Sequence, residues 1–99
     1  MAIIHANDET FKNEINTPNP VLVDFYADWC GPCRRLSPIL EELSKDIKIV
    51  KVDVDKAEET SKEFGIMTIP TVMVFKDGEI ISQKVGLLSK DELLEMMNI

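Results

Sequence analysis

An α/β fold built on a mixed five-stranded sheet with helices on both faces follows from three features of the 99-residue sequence. Strand-like and helix-like patterns alternate in the order βαβαβαββα, with no internal repeat or low-complexity tract. The early crossovers imply parallel strands, because parallel neighbours need a long connection of the kind a helix supplies. The last two strands are separated only by Asp77-Gly78, a tight-hairpin signal, and so add an antiparallel pair. With 44% hydrophobic residues the chain can bury one core, and one domain over residues 1–99 is expected.

The first strand is placed near Ala2 to His5. Asn7-Asp8-Glu9-Thr10 offers capping groups and early acids to a helix that carries Phe11 and Ile15 on one face, and Pro18 and Pro20 break it. Val21 to Ala27 is apolar on both parities, as a central strand covered on both faces reads, with Asp24 interrupting it. From Gly31 to Lys45, Leu36, Ile39, Leu40 and Leu43 recur at helical spacing, and Pro38 inside the pattern predicts a bend. Ile47 to Val54 reads as a third strand. Ala57 to Phe64 is a short helix ended by Gly65 at its C-cap. Thr71 to Phe75 and Glu79 to Val85 form the hairpin. Ser89, with Glu92 three residues on, opens a final helix through a capping box, and Leu93, Leu94, Met96 and Met97 supply its buried face.

Composition removes several function classes. Eighteen acidic and 11 basic side chains give a net charge of -7, which opposes direct contact with nucleic-acid phosphates or anionic lipid. No apolar run approaches the roughly 20 residues needed to cross a bilayer. The N-terminus lacks both a basic start and an apolar stretch of secretory-signal type, so a cytoplasmic location is expected. In that reducing compartment two cysteines are seldom a permanent disulfide.

Both cysteines and both arginines of the chain lie in Asp28-Trp29-Cys30-Gly31-Pro32-Cys33-Arg34-Arg35. A zinc site needs four ligands, yet the chain adds only His5 to Cys30 and Cys33, so no metal is expected. A structural staple gains little, because closing a four-residue loop removes only about 2 kcal/mol of unfolded-state entropy in the chain-entropy model. A redox couple explains more of the string. Cys30 falls at the turn from strand to helix, where unpaired backbone N–H groups and the helix dipole favour a thiolate. Gly31 allows a tight turn there, and Pro32 suits a first helical turn. Cys33 lies one turn further on. Such a pair cycles between dithiol and disulfide: Cys30 attacks a substrate disulfide, and Cys33 resolves the mixed disulfide.

Trp-Cys-Gly-Pro-Cys after an apolar strand, Asp24 six residues before the first cysteine, and the later Gly-Ile-Met-Thr-Ile-Pro-Thr together resemble the thioredoxin family over about Phe11 to Met97. The resemblance implies a thioredoxin-like fold and reduction of protein disulfides without a bound cofactor. Its partners would be a thioredoxin reductase, as electron donor, and disulfide-containing client proteins, met by a monomer. Cys30 would be the nucleophile and Cys33 the resolving thiol. Asp24 in an apolar strand should keep its proton to an unusually high pH and accept a proton from Cys33, with Lys51 tuning it by charge. Ile69-Pro70 would be a cis-proline loop beside the cysteines, and Trp29, Gly31, Pro32, Ile69, Pro70 and Gly86 would form an apolar substrate-binding rim. Val54 and Val85 are candidates to extend it. Arg34 stands where the family commonly has lysine. Arg34 and Arg35 add positive potential near the thiols or are simply solvated, and Met67 and Met73 read as packing residues.

An oxidase, an isomerase or a glutathione-linked reductase on the same fold is the nearest alternative activity. A binding subunit valued for its apolar rim is an alternative of another class. Replacing both cysteines by serine separates turnover from binding.

Overall fold

The computed structural model describes residues 3–98. Nine elements follow one another: β1 (Ile3–Ala6), α1 (Phe11–Ile15), β2 (Val21–Tyr26), α2 (Gly31–Leu43), β3 (Lys48–Asp53), α3 (Glu58–Glu63), β4 (Thr71–Lys76), β5 (Glu79–Val85) and α4 (Lys90–Met96). The order matches the expected βαβαβαββα, while the expected start of β1 at Ala2 lies outside the described residues. The sheet runs β1-β3-β2-β4-β5. β1 and β2 both pair parallel with β3, whereas β4 pairs antiparallel with β2 and β5. The sheet is therefore mixed, and β2 lies at its centre.

Alternation along the strands sends side chains to two cores. On one face Leu22, Ile49, Val72 and Val74 pack with Leu36, Leu40 and Leu43 of α2 and Leu93 and Met96 of α4. On the other, Val23, Phe25, Val50, Val52 and Phe75 pack with Phe11 and Ile15 of α1 and Ala57 beside α3. Helices thus cover both faces. Each fully buried leucine or phenylalanine contributes roughly 1.5–3 kcal/mol by leaving water.

Local chemistry fixes the ends of several elements. Asp77 and Gly78 both have positive φ, 53° and 79°, as the hairpin turn between β4 and β5 requires. Gly65 (φ +63°) follows the last turn of α3, where its N–H reaches the carbonyl of Lys62 and that of Ile66 reaches Ser61. This closes the orphan carbonyls of α3. Ser89 Oγ accepts from the Glu92 N–H while the Glu92 carboxylate accepts from the Ser89 N–H, completing the capping box of α4.

The segment before α1 departs from expectation. Thr10, at the N-cap, makes no side-chain capping bond. Asn7 instead accepts from the N–H groups of Glu9 and Thr10, ordering a turn ahead of the helix. Asp8 serves a different helix: its Oδ1 accepts from both the N–H and hydroxyl of Thr60, at 2.8 and 2.7 Å, near the start of α3. In α2 the helix runs through Pro38 without interruption. Pro38 is exposed, so its ring stands on the solvent side, where the missing N–H is tolerated best.

Candidate active site

The C-terminal end of β2 leads through Ala27 into α2, and Cys30 caps that helix with extended backbone angles, φ -88° and ψ 114°. Its Sγ accepts a hydrogen bond of 3.2 Å from the backbone N–H of Cys33. A sulfur there meets both a free N–H and the positive end of the helix dipole, and each favours negative charge on it. Cys30 and Cys33 are joined in a disulfide, with their Cα atoms 5.2 Å apart. Both are almost fully buried. Ala27, Tyr26, Val54 and Ile69 form their apolar surroundings.

Gly31 does not serve as expected. It lies in the first turn of the helix without positive φ, and a Cβ added to it would meet nothing within 4 Å. Neither backbone nor packing requires glycine there. Pro32 fills the early helical position as anticipated.

The Ile69–Pro70 peptide bond is cis, and the Ile69 carbonyl oxygen lies 3.8 Å from Cys30 Sγ. Gly86 donates its N–H to the Pro70 carbonyl at 2.8 Å, with φ +105°, a conformation side-chain-bearing residues rarely adopt. Cys30, Ile69, Pro70 and Gly86 are thereby linked in one neighbourhood. Trp29 is exposed, and its indole N–H donates to Asp55 Oδ2 at 2.8 Å. Asp55 is itself set by its backbone N–H bond to Asp53.

The sequence reading missed Asp55, and it misplaced Met67. Met73 is a core residue, but Met67 is 95% exposed, in the segment leading to Ile69. Val54 is half-buried against the disulfide, whereas Val85 is exposed. Arg34 donates to the Asp28 carbonyl at 2.9 Å, tying the helix to the loop before the first cysteine. Arg35 is exposed.

Asp24 lies at the centre of β2 and is fully buried. Neither carboxyl oxygen has a hydrogen-bond partner among the described residues. Burial raises its pKa from the ordinary 3.8 to about 7, against the opposing pull of the Lys51 ammonium. Lys51 is the register partner of Asp24 on β3. Its Nζ does not bond to the carboxyl; it donates to Ser37 Oγ at 3.0 Å and lies 4.3 Å from the centroid of the Tyr26 ring. The strand that leads to the disulfide thus buries an acid whose pKa is raised to about 7.

The family model for thioredoxin matches residues 2–99. The chain belongs to the thioredoxin family. It is similar to a thioredoxin of Bacillus subtilis (strain 168), 46% identical over 99% of this chain and 97% of the relative. A thioredoxin of Rickettsia prowazekii (strain Madrid E) is 44% identical over 95% of this chain and 94% of its own length. Thioredoxin C-2 of Corynebacterium nephridii is 44% identical over 92% of this chain and 89% of its own. Family and disulfide together make the protein a thiol-disulfide oxidoreductase, a protein-disulfide reductase of the redox-carrier type. Among the described residues, no helix is long and apolar enough to cross a membrane.

Proposed function

We propose that the chain, acting as a cytoplasmic monomer, reduces disulfides of client proteins through Cys30 and Cys33 and is returned to the dithiol by a thioredoxin reductase. The Cys30 thiolate attacks a client disulfide, forming a Cys30–client bond and releasing one client thiolate. Cys33 then gives its proton to the Asp24 carboxylate, directly or through one water, and attacks Cys30 Sγ. The Cys30–Cys33 bond forms and the second client thiolate leaves. Two electrons have passed from the dithiol to the client.

The observation that carries this reading is Cys30 at the helix N-cap with the Cys33 N–H on its sulfur. That asymmetry favours Cys30 as the thiolate of the pair. A client segment entering in extended form would pair with the backbone at Ile69, beside Pro70, whose lack of an N–H leaves the sulfur unhindered by a donor. Trp29, Gly31, Pro32 and Gly86 would complete the rim, and Lys51 would adjust Asp24 by charge.

The test uses a peptide whose disulfide joins a fluorophore to a quencher, mixed with protein that has been reduced by dithiothreitol and then freed of it. Cys33→Ser should attack once and accumulate a peptide–Cys30 adduct detectable by mass spectrometry, while Cys30→Ser should form none. An adduct on Cys33 in the Cys30→Ser variant, at the wild-type rate, would reverse the assignment. If Asp24→Asn left the rate and pH profile of Cys33 attack unchanged, Asp24 would have no part in the proton transfer.

A further inference from the structure

Ser37 lies one helical turn beyond Cys33, at the i+4 position on α2, and is half-buried. Its hydroxyl faces two ways. The Oγ–H is directed at the Cys33 carbonyl, 3.4 Å away, leaving the oxygen lone pairs free to accept from the Lys51 ammonium at 3.0 Å. The same ammonium lies over the Tyr26 ring. The cation next to Asp24 is thus held by a neutral hydroxyl and an aromatic face, although an acceptor of opposite charge stands on the neighbouring strand.

Lys51 and Asp24 occupy matched positions on adjacent strands about 4.8 Å apart, within easy reach of a lysine stem. The Asp24 carboxyl nevertheless makes no hydrogen bond among the described residues. An ammonium in direct contact with the carboxyl would stabilise the carboxylate far more strongly than one held off by a few ångströms. An acid so stabilised is a poor acceptor for the proton of a thiol near neutral pH.

We propose that Ser37 is a positioning residue for the dithiol–disulfide reaction: its hydroxyl ties Lys51 to the backbone of α2, so that the ammonium acts on the Asp24 carboxyl from a fixed distance without pairing with it. This rests on the reading of Asp24 as the proton acceptor for Cys33. The tie also joins the acid to the turn of helix that carries Cys33, through Asp24, Lys51, Ser37 and the Cys33 carbonyl in sequence.

The other titratable groups on this face of the sheet are few. Tyr26 and Asp53 are register partners at the end of β2 and β3, and His5 on β1 flanks Lys51 on the side away from Asp24. β4 opposes Asp24 with the apolar Val72, and β5 beyond it carries the exposed Lys84. From α2 come the Cys30–Cys33 pair and the exposed Arg34 and Arg35, while α4 turns Leu93 and Met96 inward and keeps Glu92 in its capping box. Only Lys51 exerts a resolved charge effect on Asp24.

The experiment follows the Asp24 carboxyl by ¹³C NMR from pH 4 to 10 in the oxidised full chain, for wild type, Ser37→Ala, Ser37→Thr, Lys51→Met and the double variant Ser37→Ala/Lys51→Met. Ser37→Ala should lower the midpoint by about one pH unit, a roughly tenfold stronger acid, as Lys51 closes onto the carboxyl. Ser37→Thr, which keeps the hydroxyl, should titrate as wild type. In the Lys51→Met background the alanine substitution should have no effect. An unchanged or raised midpoint in Ser37→Ala, or a lowering that persists without Lys51, overturns the proposal. The companion readout is the pH profile of Cys33 attack on a Cys30–peptide disulfide, in which Ser37→Ala should shift in parallel. A lowered midpoint with an unmoved profile would retire Asp24 as proton acceptor while leaving the tether in place.

Discussion

Replacing Asp24 by Asn should stabilise the oxidised protein, and by an amount that grows with pH. The folded carboxyl, with its pKa raised from 3.8 to about 7 by burial, holds its proton more tightly than the same group in the unfolded chain. Between those values the folded state binds more protons, so stability falls as pH rises through the window. At 1.36 kcal/mol per pH unit, the interval amounts to about 4 kcal/mol, fully lost above about pH 8. Asn does not titrate, and the penalty disappears with the charge. Urea unfolding of both proteins from pH 4 to 9 measures the difference directly, and every other titrating group cancels in the comparison. Asn should be near wild type at pH 4 and ahead by about 4 kcal/mol at pH 8, a midpoint shift of more than about 1 M urea. A gap that stays constant across the range would refute the reasoning, since it would mean that Asp24 carries no charge-dependent cost.

Lys51→Met removes the one charge that pulls the Asp24 pKa downward, so the window of falling stability should extend to higher pH, and the same unfolding series detects it. Asp55→Ala takes away the acceptor of the Trp29 indole N–H; fluorescence anisotropy of this sole tryptophan should fall while the melting temperature changes little. Asp8→Ala should loosen the start of α3, seen as faster amide exchange at Thr60. The Thr60 hydrogen bonds lower the Asp8 pKa, so its stabilisation is present above the ordinary 3.8 and lost as pH falls through the lowered value. Leu40→Ala, at a fully buried position of α2, should cost about 2–5 kcal/mol in chemical denaturation.

What was legible in the sequence is chemistry that acts over a few residues. Asp77-Gly78, Gly65 and Ser89 with Glu92 each carry their own turn or cap, so the hairpin and two helix ends were readable from neighbours alone. The apolar residues on both sides of Asp24 likewise revealed a covered strand, and with it the buried acid. Partners distant in the chain were not readable. Asp8 looked like a group for α1, yet it reaches Thr60, because the β1–α1 loop passes over the start of α3. The bond from Trp29 to Asp55 joins two loops at the ends of β2 and β3 that only the parallel register brings together. Ser37 gave no signal, since a serine on a helix face is ordinarily solvated, and its meaning depends on Lys51 arriving from β3. Gly31 misled in the opposite sense: a glycine at the turn suggested tight backbone geometry, but the residue has no positive φ and an added Cβ would meet nothing within 4 Å.

The reducing function itself is tested most directly by equilibrating the Cys30–Cys33 couple with glutathione buffers of graded ratio, followed by thiol trapping and mass spectrometry. A protein-disulfide reductase should show a midpoint more reducing than the cytosolic glutathione poise, with both cysteines changing together in one two-electron step. A midpoint well to the oxidising side would contradict it and assign the same site to disulfide formation or isomerisation.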